Sequence, residues 1–344
     1  MNGVSAAGTD GAGVSDDLVT VVIPARDEQD AIADCVESVL RQDYRNLQVI
    51  VVDGASVDRT AEIVLELGRR DPRVELLHNP AAIIPVSLNL ALAAARGPWL
   101  VRIDAHATVA PDYVRIAVEH LRTGRWGGVG GRKDGVGVSP AGRAVAAAMT
   151  SRFGVGNSTY HYGTDVQSVE HIPFGAYPVA LARQLGGWDE QLRVNQDFEF
   201  DVRVRQAGHE LLFDPRLVID WRCRQSAGDL FRQYRRYGKG KVTVAAKHPS
   251  SLRARHLAAP ALVASWLVGG AVATRRPRTA AALMSPYLLA LGLASVGTAR
   301  RLDEPAARRH VPGAFLAMHA GWGLGFWSGA RALAGPALRS RLRR

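Results

Sequence analysis

Three short apolar runs rich in β-branched residues, 18–23, 47–52 and 99–103, each stop at a turn that carries a carboxylate. Apolar runs of this length without alternation read as strands buried on both faces, the pattern of a parallel sheet. The segments between them are patterned as helices. Ile32, Cys35, Val36, Val39 and Leu40 share one face over 30–41, a second helix runs from Asp58 through about Leu67, and a third covers 85–96 before Gly97-Pro98. A further strand fits 74–77. This alternation predicts an α/β fold with a mainly parallel sheet flanked by helices. Ligands in such sheets bind beyond the carboxyl ends of the strands. Here those ends carry Pro24-Ala25-Arg26-Asp27-Glu28, Asp53-Gly54-Ala55-Ser56 and Asp104-Ala105-His106.

No Gly-x-Gly-x-x-Gly follows the first strand and no Gly-Lys-Ser/Thr loop exists, which disfavours a dinucleotide site and a P-loop. On an extended strand end, Asp104 and His106 point the same way and are placed to grip one ion. Carboxylates beside a metal ligand suit a molecule held partly by hydroxyls and partly through a cation-bridged diphosphate. The net charge of +11 calls for an anionic partner. The arginines cluster around apolar stretches, as in Arg275-Arg276-Pro277-Arg278 and Arg300-Arg301, which fits anionic membrane lipids. No nucleic-acid motif accompanies the charge. Two distant cysteines, Cys35 and Cys223, form neither a metal spacing nor a disulfide framework, and a reducing compartment is the default.

Three stretches nearly free of charge, 257–273, 279–299 and 311–330, approach the roughly 20 residues that span a bilayer. Buried core helices would look alike, but three in succession between arginine clusters favour membrane association. Keeping arginines inside favours spans by the second and third stretches, with the first at the interface. Gly321, Gly325 and Gly329 recur every four residues, a small-residue face expected to pack within the chain.

Val21-Val22-Ile23-Pro24-Ala25-Arg26-Asp27-Glu28, Val51-Val52-Asp53-Gly54-Ala55-Ser56-Val57-Asp58-Arg59-Thr60 and Arg102-Ile103-Asp104-Ala105-His106 together resemble family 2 glycosyltransferases, which have the GT-A fold. The likeness is to membrane-bound bacterial exopolysaccharide enzymes of the succinoglycan type, over roughly 18–247 and more loosely in the tail. It implies that Pro24, Arg26 and Glu28 line the nucleotide pocket, with Glu28 near the ribose. Asp53 would contact the base, commonly uracil, so a UDP-sugar donor is expected. Asp104 would serve the donor diphosphate, binding a divalent cation together with His106. The family usually has Asn at Asp27 and Asp-x-Asp at Asp104-Ala105-His106. Imidazole suits Mn²⁺ better than Mg²⁺, and both remain open.

Gln196-Asp197-Phe198-Glu199 reads unaided as an acidic helix start, favourable to the helix dipole. The resemblance makes Asp197 the general base that takes a proton from a sugar hydroxyl. With a cation on the leaving diphosphate, this suits in-line displacement with inversion. Phe174-Gly175 matches the acceptor-site segment. Gln233-x-x-Arg236-Tyr237 resembles the Gln-x-x-Arg-Trp motif, with Gln233 and Tyr237 near the acceptor and Arg236 at the diphosphate. The same helix reads as basic and amphipathic, lying on the membrane. His161, Tyr162, His171 and Trp188 are candidates for stacking on sugars or for ordinary packing, and the Gly-rich run 127–137 for a mobile loop or a connector.

The expected organisation is a disordered leader 1–17, a GT-A domain 18–225, an interface segment 226–256, two or three membrane-associated helices 257–334 and a basic tail 335–344. A plasma-membrane enzyme with a cytoplasmic catalytic domain and a lipid-linked acceptor follows. Its rivals are a polyprenyl-phosphate glycosyltransferase and a non-catalytic scaffold of an export assembly. Oligomeric state has no signal in the sequence.

Overall fold

The computed structural model describes residues 17–341, with side chains to residue 334. Apart from Asp17, the expected leader lies outside the described residues, as do the side chains of the basic tail. The first half runs β1 (Val19–Ala25), α1 (Ile32–Leu40), β2 (Leu47–Asp53), α2 (Thr60–Arg70), β3 (Val74–His78), α3 (Ile84–Ala94), β4 (Trp99–Arg102), β5 (Ala107–Val109) and α4 (Tyr113–Arg122). There follow β6 (Trp126–Val136), α5 (Pro140–Met149), α6 (Arg152–Val155), β7 (Gln167–Val169), β8 (Ala176–Pro178), α7 (Val179–Gln184), α8 (Gln196–Gln206) and β9 (Glu210–Arg222). The last part is helical: α9 (Ala227–Lys247), α10 (Ala258–Ala273), α11 (Pro277–Ala299), α12 (Pro305–Arg308) and α13 (Val311–Arg341).

The strands form one mixed sheet in the order β3-β2-β1-β4-β8-β6-β9-β5, with β7 beside β9. β3, β2, β1 and β4 are parallel, and β8 reverses against β4. Alternate residues of β1 and β2 enter opposite cores. Val21, Ile23, Val49 and Val51 join the α1, α2 and α4 side, while Val22, Ile50 and Val52 join the α3, α7 and α8 side. Burial on both faces is why these strands read as unbroken apolar runs.

Three expectations need correction. The run 127–137 is no mobile loop: it forms most of β6, and Gly127 through Gly131 are buried. Its glycines answer to close packing, since a Cβ on Gly131 would lie 1.9 Å from the Leu217 carbonyl oxygen. Asp104 to His106 is not extended either. It is a turn, closed by the Ala107 amide donating to the Asp104 carbonyl at 3.0 Å, so the shared direction argued from strand geometry does not apply.

The third correction concerns the tail. Among the described residues, the helices long and apolar enough to cross a membrane are Ala254–Ala273 and Pro277–Ala299, the first and second stretches rather than the second and third. The third stretch lies in α13. Its Val311, Ala314, Phe315 and Met318 are buried in the same core as the sheet. Its small-residue face packs within the chain as expected, against α9: Gly321 approaches the Phe231 carbonyl and Gly325 the Arg235 carbonyl. By contrast, Leu267, Leu288, Leu289 and Leu293 of α10 and α11 are exposed, and Arg275, Arg276 and Arg278 stand at the turn between those helices.

Candidate active site

The loops beyond β1 and β2 are laced together by hydrogen bonds. The Asp27 amide donates to Ser56 Oγ at 3.0 Å, and the Val57 amide returns to Asp27 Oδ1 at 2.8 Å. The Glu28 amide donates to Thr60 Oγ1 at 2.8 Å and the Gln29 amide to Asp58 Oδ2 at 3.0 Å. The side chains after β2 therefore fix the shape of the loop after β1. Asp27, Ala55, Ala82, Phe174 and Asn195 all have φ between 50° and 59°. A non-glycine residue in this left-handed region is strained, and such residues gather at functional sites. All five stand in loops that border β1, β2, β3, β8 or α8.

Within this rim, Asp53 is 5% exposed, accepts the Ser56 amide at 3.3 Å, and faces His78 at 3.8 Å. Pro24 is half-buried and Arg26 exposed, the latter 3.6 Å from Asp27. Glu28 Oε1 lies 2.9 Å from His106 Nδ1. A carboxylate there accepts a hydrogen bond from Nδ1–H and favours the tautomer with its lone pair on Nε2, the arrangement common to metal-binding histidines. Asp104 gives Oδ1 to Arg102 and no hydrogen bond to Oδ2 is present among the described residues. An imidazole nitrogen and a carboxylate oxygen are ligand types that a divalent cation takes. No group of three metal-capable side chains occurs among the described residues.

The centre of the site is a residue that the sequence reading passed over. Arg102, at the end of β4, is 4% exposed and lies between Asp104 and Asp197. Its Nη2 donates to Asp104 Oδ1 at 2.9 Å, and Nη1 stands 3.6 Å from Asp197 Oδ2. Nε and Nη1 are buried without hydrogen-bond partners. Burial opposes the guanidinium charge, but Asp104 and Asp197 outweigh it and hold its pKa above the ordinary value. Lys133 on β6 is the second cation. Its ammonium lies 3.8 Å from the Trp221 ring centre and 4.6 Å from that of Phe174. Burial pushes Lys133 down to about 8, against the pull of Asp104 and Asp197. The available signals were Arg102 inside an apolar run and Lys133 inside a Gly-rich one.

Asp197 stands in the first turn of α8, where it accepts the Phe198 amide at 2.8 Å. Burial works to raise its pKa. His171, Arg102, the Phe198 amide and Lys133 overcome that and hold it below the usual carboxylate range. His171 is oriented from behind. Its Nδ1 lies 2.6 Å from Asp201, a fully buried carboxylate that also accepts Tyr177 Oη at 2.8 Å and the Ile172 amide at 2.9 Å. Glu199 belongs to the scaffold, bound to Arg203 and His248.

The other candidates divide. Tyr237 of α9 feels both Asp197 and Asp104, and Gln233 donates to its hydroxyl at 2.9 Å. Gln233 Oε1 is buried and unpartnered. Arg236 is exposed, with no hydrogen bond or ion pair among the described residues. Phe174 is 3% exposed and presents its ring to Arg102 and Lys133. The Gly175 carbonyl accepts the Arg102 amide at 3.2 Å. Trp188 is core, stacked on Phe200 at 4.5 Å. His161 is buried, and burial pushes its pKa down to about 3.

Residues 20–184 match the family model "Glycosyl transferase family 2". The chain is 31% identical to the succinoglycan biosynthesis protein ExoA of Rhizobium meliloti (strain 1021), over 91% of this chain and 96% of that one. It is 23% identical, over 65% of this chain and 73% of that one, to a dolichyl N-acetyl-alpha-D-glucosaminyl phosphate 3-beta-D-2,3-diacetamido-2,3-dideoxy-beta-D-glucuronosyltransferase of Methanococcus voltae. The fold matches that of the mannosyltransferase PcManGT from Pyrobaculum calidifontis, solved with GDP-Man and Mn²⁺. The TM-score is 0.62 at 23% identity, covering 90% of this chain and 88% of that one. With the strand-end loops, the mixed sheet and a relative alike over nearly its whole length, the chain belongs to family 2 of the glycosyltransferases and has the GT-A fold.

Proposed function

We propose that the chain transfers a sugar, with inversion, from a UDP-sugar to a hydroxyl of a lipid-linked saccharide in exopolysaccharide synthesis. The observation that carries this is Arg102, buried between Asp104 and Asp197 with two unpartnered nitrogens and with Lys133 sharing the Phe174 ring. Such a cationic floor between two carboxylates suits a leaving group that gains negative charge. Pro24, Arg26, Glu28 and Asp53 surround the nucleoside end. Asp104 and His106 would hold a divalent cation, which when bound supplies positive charge to the leaving diphosphate. The neighbour of like fold was solved with a nucleotide sugar and Mn²⁺, which fits this donor set.

Asp197 takes the acceptor proton. Its lowered pKa keeps it ionised, and His171 and Arg102 orient and stabilise the charge before transfer. Gln233 and Tyr237 would meet the acceptor and Arg236 the diphosphate, a reading supported by the influence of Asp197 on Tyr237. The name of the Rhizobium relative supports the polysaccharide setting. Exposed apolar α10 and α11 support attachment to the plasma membrane, with the catalytic domain on the cytoplasmic side where nucleotide sugars are made.

The test is a donor screen on the purified full chain with Mn²⁺ or Mg²⁺, in parallel with Asp197→Asn. A loss of transfer of about 10²- to 10⁴-fold with donor affinity kept supports the base. Transfer by Asp197→Asn at the wild-type rate would favour a polyprenyl-phosphate acceptor, whose oxygen is already ionised.

A further inference from the structure

A second concentration of positive charge lies away from the cleft, at the far end of α8. Asp197 is in the first turn of this helix and Arg205 near its last, about 12 Å further along the axis. A pocket of about 190 Å³ opens there, lined by Val202, Arg205, Gln206, Ser250, Ser251 and Arg253. A water molecule's share of liquid volume is about 30 Å³, so there is room for a larger polar group. Two of these residues also carry buried atoms without hydrogen-bond partners, Arg205 Nε and Ser251 Oγ, and Ser251 is 5% exposed.

The surroundings hold a surplus of cations. Lys241 donates to the Ser251 carbonyl at 2.8 Å and stands 3.7 Å from the Phe198 ring centre. Glu170 is the carboxylate of the group. It binds Arg253 at 3.0 Å and also Arg255. Four cations, Arg205, Lys241, Arg253 and Arg255, thus share one carboxylate. Burial, then repulsion led by Arg255, pushes Lys241 down to about 7, with Glu170 acting the other way. Crowded like charges with unpartnered donors are what a site for an oxyanion looks like without its ligand.

We propose that this pocket binds a phosphate group, held by Arg205, Ser251 and Arg253. Its place in the chain suits a phospholipid headgroup. Ser250, Ser251 and Arg253 directly precede Ala254–Ala273, the first helix apolar and long enough to enter a bilayer. A soluble phosphate offers the same chemistry. The proposal is independent of the transfer reaction, since none of these residues belongs to the cleft.

The full chain in dodecyl maltoside, which carries no phosphate, is titrated with inorganic phosphate against chloride at matched ionic strength. The thermal midpoint is the readout. A saturable rise specific to phosphate is expected, kept in Lys133→Met and weakened about ten- to a hundredfold in Arg205→Gln. Arg205→Lys, which keeps the charge, retains part of the response and guards against a folding defect. No phosphate response, or an equal one in Arg205→Gln, overturns the proposal. Repeating the titration in phosphatidylglycerol nanodiscs separates the sources. A suppressed response means that headgroups already fill the pocket, and a persistent one assigns it to soluble phosphate.

Discussion

Deleting the charge of Arg102 should uncouple Asp104 and Asp197 and weaken the fold together. Arg102→Met keeps most of the stem and removes the guanidinium. At an effective dielectric of about 20, unit charges at the 3.6 Å separation from Asp197 attract by about 5 kcal/mol. The net value is smaller, because Arg102 has given up its hydration and the Asp197 side chain is 29% exposed. Removing one partner from a buried pair costs about 3–5 kcal/mol, and coupling between neighbours amounts to about 0.5–3 kcal/mol. A double-mutant cycle of Arg102→Met with Asp197→Asn, on the full chain in detergent, isolates that coupling as a shift in denaturation midpoint. Asp197→Asn should cost much less once Arg102 is gone. The pH profile gives a second readout. Burial alone would raise the Asp197 pKa, and Arg102 is among the groups that hold it down. Its folded pKa is depressed, so its stabilising contribution is present above the unfolded value and lost as pH falls through the folded one. In Arg102→Met the acid limb of kcat/KM therefore moves to higher pH. Additivity within about 0.5 kcal/mol and an unmoved acid limb would refute the reasoning.

Glu28→Ala removes the carboxylate at His106 Nδ1 and should weaken Mn²⁺ binding about 10- to 100-fold by calorimetry, whereas Arg26→Ala should leave the metal affinity unchanged. Burial holds the His161 pKa down to about 3, so the unfolded chain binds a proton below about pH 6.5 and the folded one does not. Stability should fall as pH drops through that window, with a limit of about 1.4 kcal/mol per pH unit, and His161→Gln should flatten the limb in acid-denaturation curves. Two glycines of α13 give opposite signs for one substitution. A Cβ on Gly325 would lie 2.1 Å from the Arg235 carbonyl oxygen, so Gly325→Ala should cost about 1–3 kcal/mol by driving α9 from α13. Gly313 has nothing within 4 Å, and Gly313→Ala should gain up to about 1 kcal/mol in the same melting assay.

What the sequence made legible was whatever depends on neighbours along the chain. The buried runs of β1, β2 and β4 show in the pattern because burial on both faces removes the polar alternation. The strand-end carboxylates follow from chain order alone. The missed features depend on partners far away in sequence. β6 looked like a loop because its glycines make room for Leu217, Ile172 and Tyr177, none of which a local pattern reveals. α13 looked like a span because a helix buried against α9 and the sheet core is as apolar as one in lipid. Arg102 followed the same logic in reverse. A charge inside an apolar strand is an anomaly resolved by Asp104, two residues on, and by Asp197, which only the fold brings to it. The site is thus assembled where long-range contacts override local propensity. A cation from the parallel half of the sheet sits between its two carboxylates, which ties the geometry of donor and acceptor sides to a single buried residue.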